Sequence, residues 1–117
     1  MKEAKKNLLF VCSRNQWRSP TAEQIFSRSP SLQVRSRGLS ASAVRRLTNS
    51  DIAWADVIFV MESEHKRQLL KRFRADIGDC PVHVLDIPDE YRFMDPELVE
   101  LIESGVSAAL DSPDAAV

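Results

Sequence analysis

The sequence predicts an α/β fold: a single three-layer domain over residues 1–117, with a four-stranded parallel sheet and helices on both faces. Three observations predict it. Short apolar runs that stop at polar loops alternate with segments of helical period. One run, Asp-Val-Ile-Phe-Val-Met at 56–61, is apolar at every position after Asp56, as a central strand covered on both faces must be. The length, 117 residues, suits one core that needs neither metal nor disulfide.

The elements follow in order. Residues 7–12, Asn-Leu-Leu-Phe-Val-Cys, read as a buried strand. Ser19-Pro20 reads as a helix start, with Ser19 as N-cap, Pro20 at the first position and Glu23 in the first turn. Ala22, Ile25 and Phe26 give that helix its apolar face. Residues 32–36 alternate and predict a second strand, closed by Gly38. Residues 39–50 have no clean period and read as a loop before a short helix at 51–55. A helix over 62–74 is acidic at its start and basic at its end, which suits its dipole. Met61, His65, Leu69 and Phe73 form its stripe. A fourth strand is expected at 82–85 and a polar loop at 86–94. The last helix opens at Asp95-Pro96 with Asp95 as N-cap, and buries Leu98, Leu101, Ile102, Val106 and Ala109. Residues 1–6 and 111–117 are expected to be flexible.

Composition narrows the function. Apolar residues are 44% and charged residues 28%, ordinary for a globular protein. No apolar run is long enough for a membrane span, and the residues after the basic N-terminus are too few for a secretory core. A cytoplasmic setting with reduced Cys12 and Cys80 is therefore expected. No Cys/His spacing reads as a zinc site. The formal net charge of −1 hides an asymmetry: residues 1–75 carry 15 Lys+Arg against 6 Asp+Glu, and residues 76–117 carry 1 against 11. Such a basic half fits an anionic partner, phosphate or nucleic acid, or else two halves that neutralise each other in the fold.

The chemistry concentrates in Cys12-Ser13-Arg14-Asn15-Gln16-Trp17-Arg18-Ser19-Pro20, between the first strand and the first helix. A loop entering a helix N-terminus turns its backbone N–H groups around a concavity, which is an anion site. Asn15 tolerates the left-handed backbone of a tight loop. Arg18 offers a planar fork that can grip two phosphate oxygens. A thiol at that rim faces the helix N-terminus and Arg18, which favour a nucleophilic thiolate. Ser19 can donate to the sulfur and ease its departure. Trp17 is a candidate pocket wall.

Together, Leu-Phe-Val-Cys12-x-x-Asn15-x-x-Arg18-Ser19-Pro20-x-Ala22-Glu23 resembles the signature of the low-molecular-weight protein tyrosine phosphatase family. Residues 34–38 resemble the family's second strand, 54–61 its third, and 101–103 its last helix. Ile87-Pro88-Asp89-Glu90-Tyr91 is similar to its acid loop, so the likeness touches most of residues 7–104. It implies a phosphocysteine on Cys12, phosphate held by the loop amides (Ser13 to Ser19) and Arg18, and Asp89 as general acid and then base. It implies no cofactor and no metal. Its substrate would be a phosphorylated protein or a small aryl phosphate, with Tyr91 placed to stack on the aromatic group, and not nucleic acid or a membrane. Asp95 is accounted for as a cap and Asp86 as the start of the loop, which leaves Asp89 as the acid.

The chain also departs from the family. It is shorter before the acid loop and in the middle loop, like compact bacterial members. Arg14 stands where a glycine is usual, Trp17 where a second cysteine is usual, and Glu90 where a proline is usual. Two alternatives share the motif: a thiol-coupled arsenate reductase, for which only Cys80 could serve as relay, and a phosphate- or phosphoprotein-binding module without turnover.

Overall fold

The computed structural model describes residues 5–111. Four strands and four helices alternate: β1 (Lys6–Cys12), α1 (Arg18–Phe26), β2 (Leu32–Gly38), α2 (Asn49–Trp54), β3 (Val57–Val60), α3 (Ser63–Ile77), β4 (Val82–Val84) and α4 (Pro96–Asp111). The sheet runs β2-β1-β3-β4, and every neighbouring pair is parallel. β1 pairs Cys12 with Gly38 on one side and Val11 with Val60 on the other, so the carboxyl ends of the strands open on one edge. In such sheets ligands bind beyond that edge, where the connections leave β1 in opposite directions.

Alternation along β1 builds two cores. Leu8, Phe10 and Cys12 face α1 and α4, with Ala22, Phe59, Met61, Leu98, Ile102 and Val106. Leu9 and Val11 face α2 and α3, with Ile52, Ile58, Val60, Leu69, Phe73 and Ile77. The residues of β3 are buried on both faces, as its sequence requires. Phe10 stacks between Phe26 and Phe59, with ring centroids 5.8 and 5.3 Å away.

Several expectations shift in detail. The first helix begins at Arg18, and its N-cap position is Trp17, with no side-chain cap. Ser19 is therefore not the N-cap, because its hydroxyl is committed to Cys12. Pro20 becomes the third helical residue, which still costs no hydrogen bond, since first-turn amides have no intrahelical acceptor. Glu23 lies beyond the first turn and instead accepts from Arg45 and Ser36. Leu101 is exposed, while Leu98, Ile102 and Val106 carry the buried face of α4. Asp95 does cap α4, accepting from the Glu97 amide at 2.9 Å. Lys6 already pairs with Leu32 in β1, and Asp111 ends α4. The rest of the expected loose ends, 1–4 and 112–117, lies outside the described residues.

The basic half neutralises itself more than it neutralises the acidic half. Arg35 and Arg37 pair with Asp51, Arg45 with Glu23, Arg67 with Glu64 and Arg18 with Glu62. One ion pair spans the halves among the described residues, Arg18 to Asp89 at 3.7 Å. Among those residues, no helix is long and apolar enough to cross a membrane.

Candidate active site

The loop from Cys12 to Arg18 is fixed from outside by the segment after β2. The carbonyls of Cys12, Ser13 and Arg14 accept from the amides of Leu39, Ser40 and Val44 at 3.0, 2.8 and 3.0 Å. Because a trans peptide points its C=O and N–H in opposite directions, tying three carbonyls outward turns the next three amides inward. The third of these is seen directly: the Asn15 amide donates to Cys12 Sγ at 3.3 Å. This is the nest of N–H groups that an anion site needs. Gly38 makes the close approach possible, since a Cβ there would stand 2.7 Å from the Ser13 carbonyl oxygen and 2.5 Å from the Ala43 Cβ. The irregular segment from Leu39 to Val44 thus holds the phosphate loop by its backbone, while the Ser40 and Ser42 hydroxyls pair with each other.

Asn15 has φ 57°, the left-handed turn that its type predicts. It is buried, and its side chain does two things. Nδ2 donates to Ser19 Oγ at 3.0 Å, and Oδ1 accepts from Arg45 Nε at 3.4 Å. Arg45 is itself held by Glu23 and Ser36. With Asn15 donating into its oxygen, Ser19 is free to direct its proton elsewhere. Cys12 Sγ lies 2.9 Å away and the Arg37 carbonyl 3.5 Å, so a thiolate at Cys12, the nearer and charged acceptor, would receive it. Two donors then face one sulfur, and hydrogen bonds to a charged acceptor are the strong ones.

Arg18 is 4% exposed and is held edge-on. Its Nη1 donates to Glu62 Oε2 and, at 2.8 Å, to the Ile87 carbonyl. That leaves the Nε–Nη2 edge, the pair of parallel donors that fits two phosphoryl oxygens. Nε lies 3.7 Å from Asp89 Oδ1, so this edge faces the side on which Asp89 stands.

Asp89 comes from the loop after β4. Ile87 anchors it: its side chain is buried, its amide donates to the Met61 carbonyl at 2.8 Å and its carbonyl receives Arg18. Burying an isoleucine is worth about 1.5–3 kcal/mol. At the far end, the Met94 amide donates to Thr21 Oγ1 at 2.9 Å. Asp86 does not brace the loop's start with its side chain; it supplies a left-handed turn, φ 60°.

A cavity of about 410 Å³ joins Cys12, Ser13, Arg14, Gln16, Trp17, Arg18 and Asp89. Seven of the ten expected site residues thus meet in one space. Asn15 and Ser19 sit behind the thiol as its partners, not in the wall. Tyr91 is the exception. Its hydroxyl donates to Glu97 Oε2 at 2.7 Å, which pushes the phenol up to about 12, and its ring packs against the core. The short link to α4 draws it away from the cavity. Among the described residues, no group of three or more His, Cys, Asp or Glu side chains could hold a metal ion.

Glu62 and His65 are additions that sequence reasoning did not make. Glu62 read as part of the acidic start of the 62–74 helix and His65 as part of its stripe. Both follow the carboxyl end of β3, at the same sheet edge as Cys12, and that placement is the signal that could have found them. The Glu62 amide donates to His65 Nδ1 at 3.1 Å, so the neutral ring carries its proton on Nε2. Burial first, and the Arg18 guanidinium next, hold the His65 pKa below the ordinary imidazole value. An unfolded histidine gains its proton near pH 6.5, whereas the folded one resists it. Stability is thus complete above about pH 6.5 and is lost as pH falls below it. Urea unfolding from pH 7 to 5 should show this loss, by at most about 1.4 kcal/mol per pH unit, and a shallower loss in His65→Gln, which can still accept from Glu62. Equal slopes in the two proteins would contradict the assignment.

Cys80 is half-buried at the amino end of β4, and burial pushes its thiol pKa up. Cys12 lies at the carboxyl end of β1, on the opposite edge of the sheet.

No protein-family model matches the sequence. The probable low molecular weight protein-tyrosine-phosphatase EpsP of Ralstonia nicotianae is 31% identical over 134 residues, covering 88% of this chain and 92% of that protein. Among solved structures, the tyrosine phosphatase Wzb from Escherichia coli K30 in complex with phosphate superposes with a TM-score of 0.71. It is 22% identical and covers 89% of this chain and 95% of its own. The YwlE arginine phosphatase from Geobacillus stearothermophilus gives 0.67 at 24% identity, covering 90% and 92%.

Proposed function

The chain belongs to the low-molecular-weight protein tyrosine phosphatase family, and on that premise we propose that it hydrolyses phosphotyrosine, or a similar aryl phosphate monoester, through a phosphocysteine on Cys12. Family membership makes it a cysteine-dependent phosphoric monoester hydrolase. The observation that carries the residue assignment is the convergence of Cys12 Sγ, the Nε–Nη2 edge of Arg18 and Asp89 on one cavity.

The inward amides and Arg18 bind the phosphoryl oxygens. Cys12 thiolate attacks phosphorus as the bond to the ester oxygen breaks, and Asp89 gives its proton to the leaving phenolate. Water then attacks the phosphocysteine and passes a proton to Asp89. The P–S bond breaks, and the Ser19 hydroxyl receives the returning thiolate. The described sheet with its two cores acts as one catalytic domain, and the substrate is a phosphorylated protein or small aryl phosphate. A free thiol nucleophile suits the cytoplasm, where thiols stay reduced. Of the alternatives, an arsenate relay through Cys80 fits poorly, because that thiol is at the wrong edge of the sheet. A module without turnover does not account for a carboxylate in the cavity wall.

Leaving-group dependence tests this reading. A general acid contributes about 10²–10⁴-fold, and less where the leaving group is already stable. Asp89→Asn should therefore lose far more rate on phenyl phosphate or phosphotyrosine than on p-nitrophenyl phosphate. Asp95→Asn should stay near wild type, since asparagine caps as well as aspartate. If Asp95→Asn or Asp86→Asn showed that dependence and Asp89→Asn did not, Asp89 would not be the acid.

A further inference from the structure

We propose that Arg14 is a specificity-determining residue, selecting phosphotyrosines with an acidic residue beside them in sequence. The inference rests on the phosphatase reading above and concerns its substrate class. Arg14 lines the cavity that holds Cys12, yet its side chain is exposed and makes no hydrogen bond or ion pair among the described residues. The other arginine at the cavity is spoken for: Arg18 is pinned to Glu62 and Ile87. Arg14 is thus the cation at the mouth left over once the scissile phosphate is bound.

Its backbone gives that charge a fixed origin. The Arg14 carbonyl accepts from Val44, and its carbonyl carbon lies 3.0 Å from where a Gly38 Cβ would be. The guanidinium therefore swings about an anchored Cα at one side of the mouth. Glu90, next in sequence to the acid Asp89, is exposed and carries negative charge on that side. A second anion on the substrate would be repelled by Glu90 and attracted by Arg14, so the charges fix an orientation as well as a preference. An exposed ion pair is weak and screened by salt. The expected preference is about 1.5- to five-fold at low ionic strength, shrinking as salt is added.

Three phosphotyrosine peptides, differing in Asp, Gln or Lys at the positions flanking the phosphotyrosine, provide the test. The ratio of kcat/KM for the Asp peptide over the Lys peptide should exceed one in the wild-type protein. It should collapse toward one in Arg14→Gln and fall below one in Arg14→Glu. The same ratio, read as dissociation constants in Cys12→Ser, tests selection without turnover. Loss of all turnover in the wild type with that affinity ratio intact would sink the phosphatase reading and leave the role of Arg14 standing. A ratio near one in the wild type, a ratio unchanged in Arg14→Gln, or no binding of any peptide to Cys12→Ser would each overturn the proposal.

Discussion

Cys12→Ser should bind inorganic phosphate and lose turnover of p-nitrophenyl phosphate by about 10⁴-fold or more, the scale on which removal of a nucleophile acts. The reason lies in what surrounds the sulfur. The Asn15 amide donates to it at 3.3 Å, and the Ser19 hydroxyl, 2.9 Å away, can donate to it once it is a thiolate. Such donors stabilise a thiolate, which is a nucleophile; a serine hydroxyl keeps its proton under the same two bonds and is not. The anion site does not depend on the sulfur. It depends on carbonyls tied to Leu39, Ser40 and Val44, and on Arg18, none of which the substitution touches. Initial rates with a continuous phenolate assay, beside phosphate binding by calorimetry, check both halves. Appreciable turnover in Cys12→Ser would refute the covalent route.

Arg18→Lys should cost about 10²–10³-fold in kcat/KM, comparable to losing one preorganised donor to a developing oxyanion. The structure makes two demands on this side chain at once. Its Nη1 joins Glu62 to the Ile87 carbonyl, and its remaining edge faces the cavity. A lysine ammonium is a single point of charge and cannot hold the loop anchor while presenting two parallel donors to phosphate. Loss of the Ile87 contact should also loosen the carriage of Asp89, so kcat should fall along with the rise in KM. Guanidinium added to the Arg18→Ala variant should restore part of the rate. If Arg18→Lys turned over near normally, Arg18 would be a surface-type charge rather than a fork.

Much of this was legible in the residues, for identifiable reasons. The apolar run at 56–61 could only be a doubly covered strand, and β3 is central. Asn15 was expected in a left-handed turn and is found there. Asp95 before Pro96 was expected as a cap and is one. The misses share a cause, a side chain recruited by something distant in sequence. Ser19 looked like an N-cap because Ser-Pro usually starts a helix, but the thiol seven positions earlier claims its hydroxyl. Tyr91 looked like a substrate contact because of its place in the motif, but Glu97 on α4 takes it. Glu62 lies 44 positions from Arg18, and only the parallel pairing of β1 with β3 brings them together. Local pattern cannot report such pairings; the topology can, since every strand end of this sheet delivers its next residues to one edge.

The covalent intermediate on Cys12 is the centre of the account, and acid-quenched reaction of Asp89→Asn with p-nitrophenyl phosphate tests it most directly. This substrate needs little acid catalysis for attack, whereas hydrolysis of the intermediate needs Asp89 as base, so the phosphocysteine should accumulate. Mass spectrometry of the digested protein should find one added phosphoryl group, on the peptide containing Cys12 and nowhere else. A phosphoryl group on another residue, or steady turnover with no burst and no adduct at any time, would contradict it.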